Sequence, residues 1–334
     1  MAQTSASRRV RVFSVIHHGF SLWHAPDWLK PRLERDFPQL EIRLHDNYDD
    51  LERWIGDAEI FLGWSLRGPQ VKAARKLRWI HSTAAAVHQL MSPELAASDI
   101  MVTNARSVHG PVVAEHALAL IFAASKRLSW CAHFAGQKHW AQNEIWDLRP
   151  LEIAGATLAV IGLGSIGEPL ARNAAALGMR VLAVREHPER GPGPAHEVFG
   201  PAALSKVLPA SDFIVLAAPV TAHTENLIAA PQLAQMKPTA WLINVSRGSL
   251  IDEPDLLRAL RQRKIGGAAL DVFHQEPLPA ESEFWRVPNL LITPHTAGLT
   301  EKMWERQYAL LGENMRRFFA GRPLLNLVDK SCGY

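Results

Sequence analysis

The sequence contains little cysteine and no long hydrophobic run. Its two cysteines, Cys131 and Cys332, lie far apart, which argues against a disulfide framework and against a cysteine-rich zinc site. This usage favours a reducing compartment, so we expect a cytoplasmic protein. No stretch reaches about 18 consecutive apolar residues, which predicts that no helix crosses a membrane. Residues 1–8 are polar and basic and are expected to form a loose tail.

The sequence also lacks a strong excess of charge. Its 36 basic and 33 acidic residues leave a net charge of +3 without a dense Lys/Arg stripe, so nucleic acid is not an expected partner. A metal site at His17, His18 or His274 is poorly supported, since no third ligand follows at metal-binding spacing. With 334 residues, of which 48% are hydrophobic and 21% charged, the chain is expected to form roughly two globular domains.

Short apolar runs alternate with helical patterns through the first part of the chain. The runs predict strands at 10–16, 41–44, 58–64, 77–82 and 100–103. The segments between them predict helices at 28–37, 48–56, 69–74 and 87–97. Such alternation is typical of a parallel sheet with helices on both faces.

A second series of strands follows a long helix and an arm. The helix is predicted at 111–126, where Glu115 and His116 are either functional or serve only capping and packing. An irregular arm at 134–149 is expected to cover a partner subunit. The later strands are predicted at 157–161, 180–184, 213–217, 240–244, 267–270 and 290–293. A last helix from Thr300 to Phe319 is expected to pack back on the first part.

These patterns predict the α/β class, with two doubly wound parallel-sheet domains. A Rossmann nucleotide-binding domain, residues 105–298, is expected to be inserted in a flavodoxin-like substrate domain. The substrate domain then comprises residues 1–104 and 299–334, so both chain ends belong to it.

A glycine-rich turn stands between the strand at 157–161 and a following helix. Gly162, Gly164 and Gly167 have the GxGxxG spacing, in which the first glycine permits the tight turn and the second admits a pyrophosphate. The third lets helix and strand pack closely, and the helix N-terminus then faces the phosphates. The turn has the correct context on both sides, which predicts a dinucleotide site.

The next landmark is the residue that would contact the adenosine ribose. An acidic residue about 20 positions after the turn binds the 2′-hydroxyl of NAD, but here the position is Arg185. Arginine pairs with a 2′-phosphate, and Arg190 lies near enough to add a second charge. We therefore favour NADP(H) over NAD(H). The alternatives are that Glu186 turns inward and serves NAD, or that Arg185 is only a solvated charge.

Three residue types suited to 2-oxo acid reduction follow three later strands, where the carboxyl edge of the sheet binds ligands. Arg247 can hold the substrate carboxylate and polarise the carbonyl. His295 can donate a proton near neutral pH, and Glu276 can orient and charge that imidazole. Hydride comes from the nicotinamide, so this chemistry needs no metal. Each residue alone has a structural explanation, but together they predict a reductase.

From about residue 104 to residue 298 the chain resembles the D-isomer-specific 2-hydroxyacid dehydrogenase family. The resemblance is carried by residues 113–118, 162–167, 218–221, 244–248, 270–273, 276–278 and 294–298. It implies that Arg247, Glu276 and His295 are the catalytic trio. It further implies that Asp271 binds the nicotinamide carboxamide, that the enzyme is a homodimer joined through its nucleotide domains, and that the domains close over a cleft.

The resemblance also assigns the residues that contact cofactor and substrate. The cofactor is expected to meet Gly162, Gly164, Ser165, Ile166, Gly167, Arg185, Pro219, Thr224, Val245, Ser246, Asp271 and Gly298. A first-domain loop is expected to bind the substrate carboxylate through Ala85 and Ala86, together with Arg247. Trp64, after an earlier strand, either lines the substrate pocket or only packs in the core.

Three positions depart from the common family pattern. In the substrate loop, Ala86 replaces a usual glycine and His88 replaces a usual aspartate. After the second strand of the nucleotide domain, Arg185 replaces the acidic residue, as in the glyoxylate and hydroxypyruvate reductase branch that this feature resembles. Glu276 argues against formate dehydrogenases, which pair the histidine with glutamine. The competing function is a nucleotide-sensing binding module, similar to a corepressor on the same fold, with little turnover. Rapid oxidation of NADPH by a small 2-oxo acid would separate the two.

Overall fold

The computed structural model describes residues 9–17, 23–85, 87 and 89–330. It divides the chain into two compact units. Unit 1 comprises Met1–Val108 and Thr300–Tyr334, and unit 2 comprises His109–Leu299. The expected tail at residues 1–8 lies outside the described residues, as do Ala86, His88 and His18.

The described residues form parallel strands and intervening helices. The strands are β1 (Val10–Val15), β2 (Leu40–Leu44), β3 (Ile60–Gly63), β4 (Trp79–His81), β5 (Met101–Thr103), β6 (Thr157–Ile161), β7 (Arg180–Val184), β8 (Glu197–Phe199), β9 (Phe213–Leu216), β10 (Trp241–Asn244), β11 (Gly267–Leu270) and β12 (Leu290–Ile292). The helices are α1 (Leu29–Asp36), α2 (Leu51–Trp54), α3 (Gly68–Ala73), α4 (Pro93–Ala96), α5 (Gly110–Ser125), α6 (Leu128–Gly136), α7 (Gln142–Asp147), α8 (Gly167–Ala176), α9 (Leu204–Val207), α10 (Ala230–Leu233), α11 (Glu253–Arg261) and α12 (Met303–Phe319).

Unit 1 contains a parallel sheet with the strand order β2-β1-β3-β4-β5, which is the flavodoxin-like order. The C-terminal helix α12 contributes to its core. Tyr308, Met315 and Phe318 pack in one cluster with the β-strand residue Trp79. The rings of Trp79 and Phe318 stack with centroids 5.4 Å apart. Residues distant in the chain therefore complete this core.

Unit 2 contains a seven-stranded parallel sheet with the order β12-β11-β10-β9-β6-β7-β8. Alternate residues of β6 enter two separate cores, one on each face: Leu158 and Val160 pack with residues of α5 and α8, whereas Ala159 and Ile161 pack with residues of α11. Helices thus cover both faces, as a parallel sheet requires. Strand order reverses between β6 and β9, which is the position where doubly wound sheets bind ligands. The predicted α/β class with two doubly wound sheets is confirmed.

Three local predictions were wrong. The segment predicted as an irregular arm contains the end of α6 and all of α7. The helix predicted from residue 87 begins only at Pro93, because the Ser92 hydroxyl accepts the Leu95 N–H at 3.2 Å and caps it. Strand β8 was missed, since its one exposed and two partly buried residues at a sheet edge give no alternation. Among the described residues, no helix has the length and apolar character needed to span a membrane.

Candidate active site

The glycine turn after β6 is built as its spacing predicts. Gly162 has a φ of +102°, and a Cβ there would lie 2.6 Å from the Ala218 nitrogen. A Cβ on Gly167 would overlap the carbonyl oxygen of Gly162, so helix α8 begins directly against the strand end. Only residues without a side chain allow this approach.

The middle glycine of the turn has a different environment. A Cβ on Gly164 would meet nothing within 4 Å, and both Gly164 and Ser165 are exposed. Helix α8 begins next to Ile166 without a side-chain cap, so its first backbone N–H groups are not covered by a capping side chain. An open backbone face at an uncapped helix N-terminus fits a pyrophosphate.

Arg185 follows β7 directly and is half-buried, and its backbone N–H donates to the Phe199 carbonyl at 3.0 Å. Its guanidinium pairs with no carboxylate in the described part of the chain. Glu186 is exposed, and Arg190 lies exposed in the 3₁₀ turn Pro188–Arg190. The first side chain after the strand is therefore a cation.

The loops after β9 and β10 carry the next group of predicted cofactor residues. The Thr224 hydroxyl donates to the Pro219 carbonyl at 2.7 Å and accepts the Thr221 N–H at 2.7 Å, which closes its loop. The buried Ser246 hydroxyl donates to the Ala218 carbonyl at 2.6 Å and joins the two loops. The side chains of Thr224 and Ser246 thus shape this edge, and Val245 beside them is buried.

Arg247 stands in the turn after β10, and the turn is held from both sides. The Asn244 amide donates to the Arg247 carbonyl at 2.8 Å. A Cβ on Gly248 would overlap the backbone of Phe273, so this turn lies against the loop after β11. Burial lowers the pKa of the Arg247 guanidinium, and the charge of Glu276 opposes that effect. The close approach at Gly248 brings the cation into the field of the carboxylate.

Glu276 and His295 form the closest polar pair of the site. The Nδ1 atom of His295 lies 2.5 Å from Oε2 of Glu276, and the Phe273 N–H donates to Oε1 at 2.9 Å. Burial acts to raise the pKa of Glu276, but the hydrogen bonds from His295 and Phe273 and the charges of His295 and Arg247 hold it below its usual value. The carboxylate is therefore ionised at neutral pH.

The hydrogen-bonding roles of His295 follow from that ionisation. A carboxylate only accepts, so Nδ1 of His295 carries a proton and donates it to Glu276. The remaining ring nitrogen is Nε2, on the side of the ring away from this bond. The side chains of His295 and Glu276 are 42% and 34% exposed, so the pair is open to small molecules.

Asp271, by contrast, is 1% exposed. Its Oδ1 accepts the Thr293 hydroxyl at 2.6 Å and the Thr296 N–H at 2.9 Å, and its Oδ2 accepts the Ala297 N–H at 3.0 Å. Gly298 follows directly, and a Cβ there would lie 3.5 Å from the His109 ring. The carboxylate that is predicted to contact the nicotinamide carboxamide thus already accepts three hydrogen bonds from the protein.

The predicted substrate residues Trp64 and Ala85 belong to unit 1. Trp64 follows β3 and packs, partly buried, against a hydrophobic core of that unit. Ala85 is exposed in the loop after β4, and its carbonyl accepts the Asn104 amide at 2.7 Å. Ala86 lies outside the described residues.

Sequence reasoning missed two contacts of this site. Thr293 binds Asp271, and the Nε2 atom of His116 lies 3.0 Å from the Thr293 hydroxyl oxygen. The available signal for Thr293 was its place directly before the Pro294-His295 pair. In the described part of the chain no group of three or more His, Cys, Asp or Glu side chains could hold a metal.

Comparison with known proteins identifies the family. The sequence model described as "D-isomer specific 2-hydroxyacid dehydrogenase, NAD binding domain" matches residues 118–297. A glyoxylate reductase of Korarchaeum cryptofilum is 33% identical over 281 residues, which is 82% of this chain and 80% of that protein. A glycerate dehydrogenase of Methylorubrum extorquens is 34% identical over 270 residues, 79% of this chain and 82% of that protein.

A solved structure shows the same relationship. The NADPH-dependent glyoxylate/hydroxypyruvate reductase of Sinorhizobium meliloti, in complex with NADP and sulfate, superposes with a TM-score of 0.81. It is 26% identical, and the match covers 98% of this chain and all of the other. The chain therefore belongs to the D-isomer-specific 2-hydroxyacid dehydrogenases and is an oxidoreductase of that nicotinamide-dependent family.

Proposed function

We propose that this enzyme reduces small 2-oxo acids of the glyoxylate and hydroxypyruvate type to 2-hydroxy acids, with NADPH as the favoured hydride donor. The observation that carries this proposal is the 2.5 Å contact between His295 and the ionised Glu276, with Arg247 in the field of the same carboxylate. The relatives named above act on such substrates, which supports this size class.

In the proposed reaction each of the three residues has a separate task. Arg247 binds the substrate carboxylate through its fork of N–H groups and polarises the adjacent carbonyl. Protonated His295 donates the Nε2 proton to the carbonyl oxygen, and Glu276 stabilises the imidazolium before the transfer. The bound nicotinamide supplies the hydride that reduces the carbonyl carbon. The hydride on carbon and the proton on oxygen together give the hydroxyl group of the product. His295 then regains a proton from solvent.

The glycine turn at 162–167 fits the pyrophosphate of the cofactor, because the backbone at Gly164 is open and helix α8 begins without a side-chain cap. Arg185 supports NADP(H), because it is the first side chain after β7 and pairs with no carboxylate in the described part of the chain. Val245, Ser246, Pro219 and Thr224 complete the proposed set of cofactor contacts.

The remaining assignments are part of the same proposal. Unit 2 serves as the nucleotide domain, and unit 1 supplies substrate contacts from Trp64 and the loop containing Ala85 and Ala86. We also propose a homodimer, since helices α6 and α7 of unit 2 bury none of their residues. Trp140, between the two helices, and Trp146, in α7, are 84% and 65% accessible and suit a surface that a second copy covers.

The first experiment measures initial rates of NADPH and NADH oxidation with 2-oxo acids from glyoxylate to phenylpyruvate. We expect turnover with NADPH and the smaller acids. If nucleotide binds but no acid supports turnover, the reductase proposal fails and the sensing function gains support.

A second experiment tests the cofactor preference alone. Arg185→Asp removes the cation and adds repulsion toward a 2′-phosphate, so the ratio of kcat/KM for NADPH over NADH should fall by about 10–10²-fold. Arg172→Asp, on the exposed face of α8, is the matched charge control. An unchanged ratio in Arg185→Asp would place the selectivity elsewhere, with Arg190 as the next candidate.

A further inference from the structure

A chain of hydrogen bonds links helix α5 to the turn that carries His295. Nε2 of His116 lies 3.0 Å from the Thr293 hydroxyl oxygen, and Thr293 donates to Oδ1 of Asp271 at 2.6 Å. Nε2 of His116 is also 3.6 Å from the same carboxylate oxygen. None of these contacts is used by the proposed proton transfer.

The direction of each hydrogen bond in this chain is determined. The single hydroxyl proton of Thr293 is donated to Asp271, so the Thr293 oxygen has only acceptor capacity left for His116. His116 must therefore carry a proton on Nε2 and donate it. Each donor in such a chain strengthens the next bond, which makes the three residues one unit.

The same carboxylate organises the backbone around His295. The His295 N–H donates to the Asp271 carbonyl at 2.9 Å, and the N–H groups of Thr296 and Ala297 donate to its carboxylate. Three successive N–H groups thus converge on one residue. His295 itself has a φ of +53°, a left-handed conformation that a residue with a Cβ adopts only when its surroundings enforce it.

We propose that His116, Thr293 and Asp271 are positioning residues that hold His295 in the orientation in which its ring meets Glu276. This inference rests on the proposed role of His295 as the proton donor. Asp271 fixes the backbone of His295 from one side, and Glu276, five residues further along the same loop, fixes its ring from the other. His116 anchors Asp271 and Thr293 to helix α5.

Burial places this network inside the protein. Asp271 is 1% exposed, and both of its oxygens accept protons from the protein. The His116 side chain is 21% exposed and faces the same buried group. The bonds from residues 295–297 to Asp271 therefore hold the backbone that carries the His295 ring.

The test removes the central hydroxyl and leaves every charge in place. Thr293→Val keeps the shape but cannot bridge His116 and Asp271, so kcat for 2-oxo acid reduction should fall by about 10–10²-fold, the scale of a misplaced reacting group. Thr293→Ser should restore most of kcat, and Thr239→Val, at an exposed position, is the matched control.

A second measurement is independent of turnover. The Nδ1–H proton of His295 can be observed by nuclear magnetic resonance and assigned by its loss in His295→Gln. In Thr293→Val and in His116→Phe this signal should move upfield or broaden, because the bond to Glu276 loosens. A folded Thr293→Val protein with an unchanged signal and unchanged kcat overturns the proposal. If the wild type shows no turnover, the reductase proposal fails, but the resonance still decides the positioning role.

Discussion

Two histidines at the ends of strands have opposite environments in the two units. His81 ends β4 in unit 1 and is fully buried, with Nδ1 2.8 Å from the Thr103 hydroxyl. His295 follows β12 in unit 2 and is partly exposed, with Nδ1 2.5 Å from Glu276. Each uses Nδ1 for one strong contact, but the partners differ in charge.

The difference shows how the partner and burial decide what an imidazole does. Trp79 donates to the Thr103 oxygen at 2.8 Å, which leaves the hydroxyl proton of Thr103 for Nδ1 of His81. Burial lowers the pKa of His81 to about 4, so the ring stays neutral. His295 instead has an ionised carboxylate beside it, since the pKa of Glu276 is held below its usual value. The same side chain thus packs in the core of one unit, whereas in the other it is partly exposed and paired with a carboxylate.

The largest effect on activity is expected when His295, the exposed histidine of this comparison, loses its ring. His295→Ala deletes the proposed proton donor, so kcat for 2-oxo acid reduction should fall by about 10²–10⁴-fold while nucleotide binding persists. Steady-state rates and a fluorescence titration with NADPH measure the two quantities. An undiminished kcat would exclude His295 as the acid.

The buried histidine, His81, should affect the free energy of unfolding at acidic pH. The pKa of His81 is about 4 in the folded state and 6.5 ordinarily, so between these values only the unfolded chain binds the proton. The free energy of unfolding is therefore highest above pH 6.5 and decreases as the pH falls toward 4, by up to about 3 kcal/mol from this group. Urea-induced unfolding at several pH values measures this slope.

The control for that prediction is a substitution without a titrating ring. His81→Gln should lose part of the slope, whereas His133→Gln, at an exposed position in α6, should keep it. If His81→Gln and the wild type lose stability equally between pH 6.5 and 4, the buried ring is not the cause.

A smaller effect on activity should follow when His295 is given an uncharged partner, as His81 has. Glu276→Gln keeps a partner for the His295 ring but removes its charge, so the imidazolium loses support. We expect kcat/KM at neutral pH to fall by about tenfold, the scale of one charge-assisted hydrogen bond. The pH at which activity declines should also move lower. An unchanged pH profile would mean that Glu276 only packs against the ring.

Much of the fold was predictable because apolar periodicity reports burial. All five strands of unit 1 and six of the seven described strands of unit 2 lie where the runs predicted them. Helices α6 and α7 were missed because neither buries a residue in the described structure, so neither has the alternation of apolar and polar faces that marks a helix packed on a core. A pattern that reports burial cannot find a helix that buries none of its residues within its own chain.

The parts of the candidate site that depend on residues close together in the sequence were predictable. The glycine turn has such spacing, and its geometry follows it. The contact between His116 and Thr293 spans 177 positions and depends on how α5 lies against the sheet. The left-handed backbone of His295 leaves no trace in its residue type. Both features are properties of the assembled fold.

The distant core contact of unit 1 has a consequence for how the protein is made. Trp79 is covered by Phe318, which the ribosome adds only after the whole of unit 2. Unit 2 can complete its core during synthesis, because domains fold as their last residues emerge. One face of the sheet of unit 1 must wait, only partly covered, until α12 is released. A nascent chain that stalls before residue 303 would therefore display Trp79 and its neighbours to chaperones.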